Sequence, residues 1–149
     1  MLKSSGLAER FARDGVVRLQ AVLSPRDMSL IEAGFEYRLR DPGPQKQELY
    51  PELGVPVVNA RGYSAELPTI ARILAETPIA EIIADLFGSG PVWFHGDQLW
   101  MKDARGKAEG ARRTPWHQDA GYDPFHGQKI AVAWINLDPV PADCALETV

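Results

Sequence analysis

Thr114-Pro115-Trp116-His117-Gln118-Asp119-Ala120-Gly121-Tyr122-Asp123-Pro124-Phe125 is the stretch on which the reading of this chain turns. His117 and Asp119 stand two apart, so on an extended segment both side chains leave the same face and can reach one ion. Two histidines and a carboxylate on one face of an octahedral ion leave the opposite face open for a bidentate co-substrate and dioxygen, as in non-haem Fe(II) sites. Neutral imidazole suits Fe(II), and the carboxylate offsets its charge. A bare His-x-Asp is a pattern that chance often supplies, so the weight falls on the residues around it.

The rest of the sequence sets bounds. A length of 149 residues suits one domain or part of one. Hydrophobic residues at 45% and charged residues at 24% are the balance of a globular protein. The net charge of −4, with both signs interspersed, offers no basic stripe, so nucleic acid is not an expected partner. No apolar run approaches the roughly 18 residues that span a bilayer, and the charged start MLKSSGLAERFARDG lacks a signal-peptide core. A cytoplasmic protein without membrane contact is expected. Cys144 is the only cysteine, which leaves nitrogen and oxygen ligands for any metal.

Helices are predicted over Ser5–Arg13, closed by Asp14-Gly15, and from Ser24-Pro25 to about Arg40, with Met28, Ile31, Phe35 and Leu39 as the apolar stripe. Two more cover Leu67–Leu74 and Pro78–Phe87, the latter striped by Ile79, Ile82, Ile83, Leu86 and Phe87 and closed by Gly88. Strands are predicted at Val16–Leu19, Val92–Lys102 and Ile130–Leu137, and the run Ala145–Val149 is strand-like. Asp41 to about Gly62, with prolines at 42, 44, 51 and 56, reads as irregular. Asp103–Arg113 is a charged loop whose Arg112 and Arg113 read as a solvated surface, and Arg61 is a weak candidate for a co-substrate contact. Helices first and strands later indicate an α+β protein, residues 1–88 mostly helical and 89–149 a β-core bearing the His-x-Asp motif.

The motif segment, followed by KIAVAWINLDPVPADCALETV, resembles the phytanoyl-CoA dioxygenase family of Fe(II)/2-oxoglutarate oxygenases. There a Pro-aromatic-His-Gln-Asp segment precedes a tryptophan-bearing strand, a Leu-Asp-x-Val turn and a Gly-x-Leu-x-x-Val strand. Here those are Pro115–Asp119, Trp134, Leu137–Val140 and Cys144–Val149. Phe11-x-x-Asp14-Gly15, the strand after it, the helix after Leu23-Ser24 and Leu86-Phe87-Gly88 extend the resemblance over nearly the whole chain.

The resemblance implies that His117 and Asp119 bind iron, that Gln98, Gln118 and Trp134 sit near 2-oxoglutarate, and that Lys102 lines the same pocket if its strand is regular. It implies N-terminal helices on a double-stranded β-helix (jelly-roll) core, with hydroxylation of a small-molecule substrate as 2-oxoglutarate and O2 become succinate and CO2. The family pattern runs on to a Pro-Gly-Ser-His-like segment, a second histidine ligand and a basic residue for the distal carboxylate, none of which follows within these 149 residues. Cys144 and Thr148 also depart from it. The core is therefore expected to be incomplete at the C-terminus, with self-association covering open sheet edges. Two further readings stand beside the oxygenase. One is a truncated or degenerate binding protein of the same fold; the other is a cupin-type lyase or hydrolase using His95 or His126 as a third ligand. Taken alone, His95 and His126 read as structural or solvated, and Trp100 and Trp134 as core aromatics.

Overall fold

The computed structural model describes residues 6–48, 57–62, 67–88, 90–102, 114–121 and 126–149. The elements are α1 (Leu7–Asp14), α2 (Pro25–Arg40), β1 (Gln47–Glu48), β2 (Val57–Gly62), α3 (Pro68–Glu76), α4 (Ile79–Phe87) and β3 (Asp97–Lys102). Single 3-10 turns occupy Asp119–Gly121 and Ala142–Cys144. The helix punctuation follows the local sequence. α1 closes on Gly15 at φ 70°, α4 on Gly88 at φ 56°, conformations that glycine adopts without a Cβ penalty. Ser24 caps α2: its Oγ accepts the Asp27 amide at 3.2 Å, and its N–H and O–H donate to Asp27 Oδ2 at 2.8 and 2.7 Å.

Two compact units emerge, and the division falls inside α2 between Gly34 and Phe35. In the first, α1 meets α4 through Phe11 and Phe87, ring centres 6.2 Å apart. Glu76 at the end of α3 accepts from Arg72 at 2.8 Å and from Arg26 of α2 at 2.6 Å. Gly34, mid-helix, is matched to the close approach of α3: a Cβ there would lie 2.7 Å from Ile73 Cδ1. The α4 stripe is half-buried throughout.

The second unit holds a three-stranded antiparallel sheet in the order β1-β2-β3. In its register Val58 faces Met101, Ala60 faces Leu99 and Gly62 faces Asp97. Strand side chains alternate, so these six share one face. Val58, Ala60 and Leu99 are buried there, with Phe35 and Met101 packed against them. Arg38 reaches that face too, its Nε and Nη2 donating to Asp97 Oδ2 and Oδ1 at 2.9 and 2.8 Å. Both side chains are largely buried, at 7% and 21% exposure. Gly62 leaves the room: a Cβ there would run into the Arg38 guanidinium and the Asp97 carboxylate.

Several expectations need correction. Val57–Gly62, read as irregular, is the central strand. Phe35 of the predicted stripe packs on the sheet as expected, but Leu39 is exposed at 39% and Arg38 takes the next place facing the sheet, drawn there by its charge pair with Asp97. Val16–Leu19 and Ile130–Leu137 are not strands, and residues 91–96 precede β3 as coil. Among the described residues these segments have no ladder neighbour, and an extended chain without one leaves its N–H and C=O groups to water. Ile130, Val132 and Trp134 are accordingly exposed, as is the tail from Ala145 to Val149. The described strands make one small sheet; α+β stands, and the two facing sheets of a jelly roll are not among the described residues. Ser5, the prolines at 51 and 56, the loop Asp103–Arg113 with Arg112 and Arg113, and Tyr122–Phe125 lie outside them. Among the described residues no helix is long and apolar enough to cross a membrane.

These contacts set the expected cost of three substitutions. Ser24→Ala should cost about 1 kcal/mol in urea unfolding. Hydrogen bonds from the Ser24 hydroxyl and amide hold the Asp27 carboxyl below the ordinary aspartate range. That contribution is present above the unfolded aspartate value and is lost as pH falls through the lowered folded value; Ser24→Ala should flatten this acid limb. Asp97→Ala strands a buried guanidinium and should cost about 3 kcal/mol, read from the urea midpoint at constant slope. Gly62→Ala should shift the midpoint in the same direction.

Candidate metal centre

Because Asp97, Leu99 and Met101 point into the core, Gln98, Trp100 and Lys102 lie together on the opposite face of β3. Asn59 and Arg61 occupy that face of β2, Arg61 in register with Gln98 and Asn59 with Trp100. An amide ladder runs across it: Gln98 Nε2 donates to Asn59 Oδ1 at 2.8 Å, and Asn59 Nδ2 points to Gln47 Oε1 at 3.4 Å. Asn59 is buried to 9% exposure, so its amide is poorly hydrated and depends on these neighbours. Gln98 and Lys102 thus share a face, as a regular β3 requires.

Lys102 ends β3, and its Nζ donates to Thr114 Oγ1 at 2.7 Å. The residue is exposed overall, yet the atoms around its ammonium desolvate it and pull its pKa below the usual lysine value. Thr114 opens the segment that carries the His-x-Asp motif. Residues 114–118 join no strand, and Asp119 begins a 3-10 turn closed by the Gly121 N–H on the Gln118 carbonyl at 3.2 Å. His117 and Asp119 therefore converge through a turn, not through the same-face geometry of a strand. His117 Nε2 lies 3.3 Å from Asp119 Oδ1.

The other imidazole nitrogen decides what that approach means. His117 Nδ1 is 2.8 Å from the Pro115 carbonyl oxygen. A carbonyl only accepts, so Nδ1 carries the proton and a neutral ring presents its Nε2 lone pair towards the carboxylate. Two acceptors at that distance need positive charge between them, either a proton on Nε2 or a cation. Donors about 2.1 Å from a small divalent ion and at right angles to each other lie about 3 Å apart. The 3.3 Å spacing is close to that of two donors on one small divalent ion, and the Pro115 carbonyl orients the ring as backbone carbonyls do for metal-site histidines. Its side chains are 39% and 57% exposed, open to an ion from solution.

The other sequence candidates fall elsewhere. Gln118 is exposed beside the pair. Trp134 belongs to the other compact unit, half exposed, its Nε1 donating to Asn136 Oδ1 at 2.8 Å. His95 and His126 are exposed and do not join the pair: among the described residues no group of three or more His, Cys, Asp or Glu side chains is placed to hold a metal. That leaves the three-histidine-or-carboxylate arrangement of a cupin-type lyase without its third member there. Asn59 and Thr114 were missed by the sequence reading. For Asn59 the signal existed, since Val58, Ala60 and Gly62 alternate with Asn59 and Arg61 at the strand period.

Compared with known proteins, residues 11–145 match the family model described as phytanoyl-CoA dioxygenase. No curated protein and no solved structure matches the chain significantly.

The ladder gives a direct prediction. Asn59→Ala removes both the Gln98 acceptor and the Gln47 donor, and should cost about 1–2 kcal/mol in thermal or urea unfolding, more than Gln98→Ala at the exposed end.

Proposed function

We propose, from the premise that this chain belongs to the phytanoyl-CoA dioxygenase family, that it serves Fe(II)/2-oxoglutarate-dependent hydroxylation of a small-molecule substrate. The observation that carries this reading is the His117–Asp119 approach at 3.3 Å with the ring's other nitrogen bound to the Pro115 carbonyl. His117 Nε2 and Asp119 Oδ1 are the atoms that would hold iron. Gln98, Gln118, Trp134 and Lys102 are the residues the family resemblance sets beside 2-oxoglutarate.

When bound, iron with 2-oxoglutarate and dioxygen supplies an oxidant able to break an unactivated C–H bond, the co-substrate leaving as succinate and CO2. The chain's own contributions are positional. The Pro115 carbonyl accepts from Nδ1–H, so the ring would offer Nε2 to a metal as a neutral donor. Asp119 brings one negative charge, offsetting half of a divalent ion's. Lys102 places a cation on the polar face of the sheet, which favours a dicarboxylate there over a neutral molecule. The amide ladder holds the Gln98 side chain in one orientation.

The alternative reading is a binding protein of the same fold that carries out no oxidation. Anaerobic titration with Fe(II) and 2-oxoglutarate separates the two. The oxygenase should develop the visible charge-transfer band of the chelate, lost in His117→Ala and Asp119→Ala. A wild-type chain that shows no band and binds Fe(II) no better than those variants would sink the catalytic reading.

A further inference from the structure

The segment that carries His117 and Asp119 is not part of the sheet, so its position relative to β3 is not set by a backbone ladder. A short chain of contacts runs between the two instead. Lys102 is the last residue of β3, and its backbone is in register with Val57 of the central strand. Its ammonium donates to Thr114 Oγ1 at 2.7 Å. Thr114 precedes a proline, which confines it to extended conformations, and Pro115 has φ locked by its ring. The Pro115 carbonyl oxygen then accepts a hydrogen bond from His117 Nδ1–H at 2.8 Å. One residue, Trp116, intervenes, and at 65% exposure its side chain is not the anchor.

From this sequence of contacts we infer that Lys102 is a positioning residue for the metal pair, acting through the Thr114 hydroxyl, before any co-substrate arrives. The inference rests on the reading of His117 and Asp119 as metal ligands. With the ammonium in place, three residues, two of them with restricted backbones, separate the Lys102 contact from the imidazole. Without it, Thr114 is free to swing, and the ring and carboxylate must be ordered by the metal itself. Part of the binding free energy then goes into ordering the arm.

Titration of the full chain with Co(II) alone, followed by visible d–d absorption without 2-oxoglutarate, tests this separately from any contact Lys102 makes to the co-substrate. Lys102→Met and Thr114→Val should each weaken Co(II) affinity about ten-fold, as for other groups that orient ligands. Thr114→Ser, which keeps the hydroxyl, should bind as wild type does. The double variant should be no weaker than either single one, because both remove the same link. Should Lys102→Met fail to fold as judged by circular dichroism, the Thr114→Val and Thr114→Ser pair decides alone. Unchanged Co(II) affinity in Thr114→Val, with binding abolished in His117→Ala, would overturn the tether and leave the metal site standing. Co(II) binding that survives in His117→Ala would remove the site, and the tether with it.

Discussion

A guanidinium forked onto a carboxylate inside a small core constrains everything around it. Arg38 and Asp97 form such a pair against the face of the sheet that buries Val58, Ala60 and Leu99, in space that Gly62 leaves by having no side chain. Side chains alternate along a strand, so turning Asp97 towards Arg38 also turns Leu99 and Met101 inward and Gln98, Trp100 and Lys102 outward. A slip of one residue would set the Gln98 amide against the guanidinium and leave Leu99 in water. The polar face that carries Gln98 and Lys102 is therefore a consequence of a buried charge pair on the other side of the sheet.

The His117–Asp119 pair is organised differently. No ladder holds residues 114–118, and the turn at Asp119–Gly121 is a single 3-10 loop. Order there comes from restricted backbones at Thr114 and Pro115 and from the ring proton on the Pro115 carbonyl. The pair is exposed and assembled from short-range contacts. Its geometry depends on side-chain contacts more than on the core, unlike the amide ladder on β2 and β3.

The apolar segment Ile130–Leu137 shows the limit of composition as a guide. Its residues have strand character, yet Val132 is 65% exposed and Trp134 50%. Alternation and branched side chains make a segment fit to be a strand; a hydrogen-bonded neighbour makes it one. The family pattern supplies the expectation of that neighbour, and the described part of the chain holds none for it.

What was legible in the sequence was what short-range physics decides. Helix hydrogen bonds close within four residues, and the Ser24 cap, Gly15 and Gly88 are read from their immediate neighbours, so the four helices were placed to within a few residues. The His-x-Asp pair was legible as chemistry, and the family it pointed to is the one the chain belongs to. The strand β2 was obscured by the prolines and glycines before it, although its own alternation was present. Leu39 satisfied the helical stripe, but Arg38 faces the sheet because Asp97, fifty-nine residues away in sequence, waits there. Partners so far apart leave no local signal. Sequence alone determined the helices and the family; tertiary structure decided which face of β3 is buried and how His117 meets Asp119, because each depends on contacts the chain makes only after it has folded back on itself.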